Sequence, residues 1–365
     1  MSTTVQPCTR RSLHALPVRD IERLTDDAVA ITLDIPHELS DLFAFTPGQH
    51  LGVARHDSRT ELRRSYSICS AIGAPIRIAV KLLPGGAFST WAHGELKVGD
   101  DLRVMPPTGR FTLAPDASRR RNYVAVVAGS GVTPVLSMVA SVLAIEQESS
   151  FTLVYGNRST SSIMFLEELE DLKDRYSTRL QIHHVLSREP QEVELAEGRI
   201  DAAKLERLLD TLISAETTDE WFLCGPMDMI EAARSTLLAH CVPSATVHRE
   251  LFHADETAPP PVPLPARDGD REGAAVAVVL DGRRTELSVP HDGTAILDAM
   301  LAKRPDAPYA CKGGICGTCR CRILSGEVRM DHAYALEVDE IAAGIRLACQ
   351  SHPLTDEVVL DFDGA

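Results

Sequence analysis

No apolar run in these 365 residues approaches the roughly 20 that a membrane-spanning helix needs. The stretch from Met1 to Ala15 carries basic residues but no apolar h-region, so no secretory signal is visible. Basic residues are outnumbered: 37 Lys and Arg stand against 52 Asp and Glu, a net charge of −15. That balance argues against nucleic acid as a partner and suits docking onto a basic patch of another protein. A disulfide framework is also missing. The nine cysteines are an odd number, and Cys8, Cys69, Cys224, Cys241 and Cys321 show no paired spacing, which points to a reducing compartment. Nor does the chain show the carboxylate pair of general acid–base work or a nucleophile triad. Apolar content of 44% allows sizeable cores. The expectation is a soluble, cytoplasmic chain of about two to three domains.

What is present is concentrated thiol chemistry. Residues 311–319 read C-K-G-G-I-C-G-T-C. The C-x4-C-x2-C spacing of Cys311, Cys316 and Cys319 resembles that of plant-type ferredoxins, which hold a [2Fe–2S] cluster with a fourth cysteine far downstream. Cys349 is the one cysteine after Cys321. Gly313, Gly314 and Gly317 allow left-handed backbone and let N–H groups approach the sulfurs. A zinc site is the competing reading, but such sites pair short Cys-Cys knuckles, and no second knuckle follows. Cys321 would point to the opposite face of a strand from its ligand neighbour and reads as structural.

Residues 12–116 read as short strands, among them 29–33, 49–54, 65–69, 76–82 and 101–105, punctuated by Pro-Gly turns. Such spacing predicts a small antiparallel β-barrel. Within it, Arg64-Ser65-Tyr66-Ser67 resembles the R-x-Y-S motif of the ferredoxin–NADP reductase superfamily. By that resemblance Arg64 binds the pyrophosphate of FAD, Tyr66 packs on the flavin ring and Ser67 bonds near its N5. Those roles suit a guanidinium fork, a flat aromatic and a hydroxyl. Val80 and Lys81 end a strand. Gly86 and Ser89 match the family's G-x-x-S, which opens a helix toward the pyrophosphate.

Residues 120–252 change character. A buried apolar strand, 123–128, leads into Gly129-Ser130-Gly131-Val132-Thr133-Pro134 and a helix-compatible stretch, 135–145. Strand, glycine turn and helix make a nucleotide phosphate site. The turn departs from the Rossmann fingerprint and resembles the superfamily's G-x-G-x-T-P, in which the threonine also approaches the flavin. Strands and helices then alternate to Met227–His240, predicting an open α/β parallel sheet. At the strand ends lie Asn157, Arg158, Ser187, Arg188 and the triplet Cys224-Gly225-Pro226, which matches the family's C-G-P beside the nicotinamide. Arg158 and Arg188 suit a 2′-phosphate and hence NADPH. In the same resemblance an aromatic or acidic residue near Phe252 reaches the flavin, and Tyr66, Ser67 and Cys224 stand closest to hydride transfer.

Residues 253–272 form a Pro-rich linker. Residues 273–365 read as an α+β β-grasp ferredoxin. Asp281-Gly282 is a hairpin turn between strands, Thr294 is the expected cap of a helix through Ala302, and a short helix near 336–343 precedes Cys349. Taken together, the chain resembles the reductase components of bacterial oxygenases over nearly its whole length. Met330-Asp331, Tyr334 to Glu337 and the run from Cys349 to Leu354 narrow the resemblance to the reductase subunits of phenylacetyl-CoA epoxidases. That implies oxygenase subunits, di-iron in type, as the partner. Electron counting gives the order: NADPH delivers a pair, a [2Fe–2S] cluster takes one electron at a time, and a flavin must mediate. Two alternatives stay open. One is a different acceptor, such as a ring-hydroxylating dioxygenase, a fatty-acyl desaturase or a hybrid-cluster protein; the other is a non-enzymatic iron–sulfur carrier.

Overall fold

The computed structural model describes residues 12–56, 61–252 and 273–364. Cys8 and the Pro-rich linker lie outside the described residues. The chain divides into two compact units. The larger comprises His14–Leu62 and Tyr66–Phe252, and the smaller is built mainly on the C-terminal residues.

The larger unit begins with six strands: β1 (His14–Thr25), β2 (Ala28–Leu33), β3 (His50–His56), β4 (Glu61–Ser67), β5 (Arg77–Lys81) and β6 (Asp101–Val104). Their order is β4-β3-β6-β1-β2-β5, and the pairings are antiparallel. Ile68, just past β4, bridges Ile78 of β5, and the Cys69 N–H donates to Arg77 O at 2.8 Å. These contacts close the sheet into the expected barrel, which leaves no open edge. Leu16, Ile31, Leu51, Ile68, Ile78 and Val104 fill it. β1 is the longest strand and was not among those expected. Leu16 and Val18 face the core, but Arg19, Asp20, Glu22 and Arg23 interrupt the apolar pattern beyond them, where pairing to β2 continues the strand.

Five parallel strands follow: β7 (Asn122–Ala128), β8 (Ser150–Asn157), β9 (Leu180–Leu186), β10 (Glu220–Gly225) and β11 (Val247–Leu251), in the order β11-β10-β7-β8-β9. The chain winds outward from β7 to β9, then crosses to β10. The topological switch therefore lies between β7 and β10, where ligands of open α/β sheets bind. With α1 (Ala87–Gly94) lying in the barrel region, the sheet's helices are α2 (Val132–Ile145), α3 (Leu166–Arg175), α4 (Ala202–Thr211) and α5 (Met227–Ala239). α2 starts three residues earlier than the apolar run predicts, because Pro134 sits in the first turn, where a missing N–H costs no helical bond. Barrel and sheet share one core: Ala28, Ala30, Cys69 and Ala79 pack with Val127, Val135 and Met138. The Ser137 hydroxyl donates to Ser70 O at 2.6 Å across that junction.

In the smaller unit β12 (Ala274–Leu280) and β13 (Arg283–Val289) form the expected hairpin. Asp281 and Gly282 both take left-handed φ, 52° and 71°, as a two-residue primed turn requires. Then come α6 (Ile296–Lys303), β14 (Arg320–Ser325), β15 (Val328–Met330), α7 (Val338–Ala342), β16 (Ile345–Leu347), β17 (Ser351–Pro353) and β18 (Glu357–Asp361). The mixed sheet has the order β13-β12-β18-β14-β16, and β15 pairs with β17. Ile296, Leu297 and Met300 of α6 pack against Val276, Leu287 and Leu360, completing a β-grasp. Thr294 does not cap α6. Its hydroxyl donates to Asp292 Oδ1 at 2.6 Å, and the residue preceding the helix is Ala295, which has no capping oxygen.

One carboxylate ties the barrel's exit to the sheet. Glu146 is fully buried; it accepts from the Tyr123 hydroxyl at 3.0 Å, the Ser149 hydroxyl at 2.6 Å and the Asp116 N–H at 3.0 Å. Glu146→Ala leaves those donors unpaired in a dry site. It should cost about 3 kcal/mol, read as a lower urea midpoint. An unchanged midpoint would show that the three bonds contribute nothing net.

Candidate functional site

At the switch point the glycines permit contact that a side chain would block. Gly129 has φ 54° and ends β7 in a 3₁₀ turn through Gly131. A Cβ on Gly131 would lie 2.3 Å from Cys224 O and 3.2 Å from Cys224 Sγ. A Cβ on Gly225 would lie 3.2 Å from Ala128 N. The carboxyl ends of β7 and β10 thus meet without intervening atoms. Thr133 is buried and its hydroxyl donates to Ser130 O at 2.9 Å, bracing the turn. Pro134 lies buried in α2, and Pro226 precedes α5.

The parallel register of β10 and β11 sets Cys224 opposite Glu250. The Ser67 hydroxyl donates to Glu250 Oε2 at 3.3 Å, and His50 Nδ1 lies 3.9 Å from Oε1. Burial pushes the Cys224 thiol well above its ordinary pKa, and the Glu250 charge adds to the effect. Ser67 and Cys224 are therefore brought together around Glu250, which was not among the residues singled out. Its signal in the sequence is slight: an acidic residue near the end of a short strand. Phe252, the neighbour favoured instead, packs against the core shared by barrel and sheet. Tyr66 is half-buried, with its ring 5.4 Å from that of Phe88.

The remaining barrel residues divide by availability. Arg64 is exposed, and its guanidinium donates to Arg63 O at 2.7 Å. Ser65 Oγ is buried with no hydrogen-bond partner in the protein. The Val80 side chain belongs to the barrel core, while its carbonyl meets the His93 ring nitrogen at 2.9 Å. Lys81 Nζ sits 3.2 Å from Asp27. Gly86 precedes α1, and the Ser89 hydroxyl closes the turn by donating to Gly86 O and accepting from Leu83 N, both at 3.1 Å. Val80 and Ser89 thus contribute backbone and shape.

Arg158 and Arg188 are neighbours: the Arg188 N–H donates to Arg158 O at 2.8 Å, and the Ser187 N–H to Asn157 O at 2.9 Å. Both arginine side chains are exposed. Asn157 Nδ2 is buried without a protein partner. Glu189 accepts from the Thr160 N–H and hydroxyl, bonds that hold its carboxyl below the usual range.

In the smaller unit the four thiols associate two by two. Burial and the neighbouring Cys316 thiol push the Cys311 thiol far up. Cys319 bonds Cys349, which raises Cys319 and lowers Cys349. The N–H groups of Gly313 and Cys316 point at Cys311 Sγ at 3.3 and 3.4 Å. Gly314 and Gly317 are left-handed as expected. Gly313 is not, and Lys312, at φ 54°, takes the third such position. Thr318 Oγ1 is buried without a protein partner. Among the described residues no three His, Cys, Asp or Glu side chains are grouped to hold a single metal ion. The C-x4-C-x2-C spacing with a distant fourth cysteine suits a [2Fe–2S] cluster. Cys321 faces away into the core, where burial pushes its pKa to about 12.

Comparison with known proteins agrees with this layout. Family models match in sequence: an oxidoreductase FAD-binding domain over residues 15–113, an oxidoreductase NAD-binding domain over 126–235 and a 2Fe-2S iron-sulfur cluster binding domain over 278–354. The chain is 44% identical over 353 residues to one of the subunits of 1,2-phenylacetyl-CoA epoxidase from Escherichia coli (strain K12), covering 96% of this chain and 98% of that one. It is 35% identical to the ferredoxin reductase component of 3-ketosteroid-9-alpha-monooxygenase from Rhodococcus rhodochrous, covering 99% and 100%. The chain belongs to the family of oxygenase reductase components. Among solved structures, the oxygenase reductase is 26% identical to phthalate dioxygenase reductase, described as modular for electron transfer from pyridine nucleotides to [2Fe-2S]. The TM-score is 0.60, with 96% of this chain and 98% of that one covered. It is an oxidoreductase that moves electrons from a pyridine nucleotide through a flavin to an iron–sulfur centre.

The close approach of Gly131 to Cys224 is open to test. Gly131→Ala forces apart two backbone segments at the switch point. It should raise KM for the pyridine nucleotide at least about tenfold, the equivalent of about 1.4 kcal/mol, while dithionite still reduces the cluster. An unchanged KM would mean that the turn has room to move.

Proposed function

We propose that this reductase takes electrons from NADPH and delivers them to a di-iron phenylacetyl-CoA epoxidase. The observation that carries the acceptor is the 44% identity, end to end, with a chain of the Escherichia coli epoxidase. The 35% identity to a steroid monooxygenase reductase supports a second reading, a sister oxygenase reached by the same electron path.

The residues present fit the three groups. Ser65 Oγ and Thr318 Oγ1 are buried without a protein hydrogen bond beside the motifs for FAD and the cluster, as are other polar atoms away from these sites. Such atoms cost free energy unless something bonds them. Bound in the barrel, FAD supplies the conversion of a hydride pair into single electrons. Arg64 and the N-terminus of α1 at Gly86 offer positive charge to its pyrophosphate. Tyr66 offers a flat face, and Ser67, held by Glu250, orients a hydroxyl. Thr133 and the glycine turn Gly129–Gly131 present backbone to the nucleotide pyrophosphate. Gly225 keeps side-chain bulk out of the nicotinamide's path, and Cys224 walls it with an uncharged thiol. Arg158 and Arg188 offer paired guanidiniums to a 2′-phosphate, with Ser187 beside them. Cys311, Cys316, Cys319 and Cys349 would hold the cluster.

Three outcomes check this reading. Arg158→Ala should raise KM for NADPH at least tenfold more than KM for NADH, since a bidentate phosphate contact is worth on the order of 1.5–3 kcal/mol; equal changes would remove Arg158 from cofactor choice. Cys316→Ser should lose the cluster's visible and EPR signals yet keep NADPH-dependent flavin reduction. An intact cluster spectrum there would refute the ligand set. Mixed with epoxidase subunits, the purified reductase should support NADPH-dependent oxygenation of phenylacetyl-CoA. Turnover only with another oxygenase would shift the acceptor to the second reading.

A further inference from the structure

Gln350 directly follows the last cysteine of the cluster set and is only 8% exposed. A buried primary amide must place two donor hydrogens. Its Nε2 donates to Lys312 O at 2.8 Å and Cys349 O at 3.1 Å, and lies 3.6 Å from Cys349 Sγ. The backbone carbonyl of Gln350 accepts from the Asp331 N–H at 2.9 Å, which anchors the residue from behind. Its Cγ packs where Gly314 lacks a side chain; a Cβ there would be 3.1 Å away. One side chain therefore joins the loop between Cys311 and Cys316 to Cys349, which arrives from the far end of the domain.

A purely structural clamp would need only the two carbonyl bonds. The approach to sulfur adds an electrostatic role. One-electron reduction places one more negative charge on the cluster and its four thiolates. An N–H donor fixed at a thiolate in a dry site favours the reduced form, and hydrogen bonds to the sulfurs are among the determinants of such potentials. The donors at Cys311 are backbone groups of the loop itself, present whatever the side chains. At Cys349 a side chain, the Gln350 amide, joins the Gly314 backbone N–H as donor, and the chain could have placed an apolar residue at 350.

We propose that Gln350 is a positioning residue whose side-chain amide shares the hydrogen directed at Cys349 O with the Cys349 thiolate and so raises the reduction potential of the cluster. The inference rests on the assignment of Cys311, Cys316, Cys319 and Cys349 as ligands.

The test is an anaerobic redox titration of the full-length protein loaded with FAD and cluster, following the reduced cluster by EPR. Gln350→Leu removes the donor, and Gln350→Glu keeps the shape while replacing donor by acceptor. Each iron-loaded variant should show a more negative cluster midpoint with an unshifted flavin midpoint. In the wild type labelled with side-chain amide ¹⁵N glutamine, the reduced cluster should show a ¹⁵N hyperfine coupling. An unchanged midpoint in an iron-loaded variant overturns the proposal. If neither variant retains iron, the wild-type label decides, and absence of the coupling overturns it. A wild-type protein without any cluster signal would instead overturn the ligand assignment.

Discussion

The reductase unit depends on how closely the carboxyl ends of β7 and β10 approach each other. The chain reverses its winding direction between these strands, so the turns that follow them diverge. A ligand crevice opens there only if the strand ends carry almost nothing. Gly131 meets that condition outright, since a single added carbon would collide with Cys224 backbone, and at Gly225 it would press against Ala128 N and the Met229 methyl. Glu250 enters by the same geometry: parallel pairing with β10 puts it opposite Cys224, and the barrel's Ser67 reaches it from the other sheet. Barrel and sheet cannot separate without exposing their common core, so the motif residues of each keep a fixed relation to the other.

The ferredoxin unit solves a different problem. In the proposed reading it gathers four thiols, three from one loop and one from beyond α7, around a group that brings charge. The loop does so with left-handed backbone at Lys312, Gly314 and Gly317, which turns N–H groups inward. Position 312 shows that the need is conformational rather than a need for glycine as such. A lysine bears the strained φ because the Gln350 amide holds its carbonyl. Its long side chain escapes outward to Asp298, at 2.7 Å.

Legibility in the sequence followed the strength of local constraint. The C-x4-C-x2-C run, the G-x-G-x-T-P turn and the R-x-Y-S strand were readable because each compresses a chemical requirement into a few adjacent residues. The central parallel strand β7 read clearly, being apolar where both faces are covered, whereas β11, Val-His-Arg-Glu-Leu, did not. What stayed hidden was whatever depends on pairing across distance. Beyond Val18, β1 is held by pairing to β2 rather than by its own pattern. Glu250 owes its place to strand register, and no spacing rule along one strand separates it from Phe252. Thr294 had the chemistry of a cap, but Asp292 captured its hydroxyl two residues before the helix began.

A common physical theme links the sites. In the proposed reading no acid–base pair or nucleophile triad is required, because the carried groups hold the reactivity. What remains for the protein is to keep polar atoms in dry places and leave them aimed. Ser65, Asn157 and Thr318 each bury a polar atom that no protein group satisfies. Atoms of this kind also lie away from the proposed sites, at Trp221 and His183 among others, so each bears on a site only beside the motif that carries it. Cys224 is the counterpart: burial beside a carboxylate keeps it a thiol and denies it reactivity. Recognition by unsatisfied donors, with nearby thiols held inert, lets the chain accept strongly reducing groups without adding reactive side chains of its own.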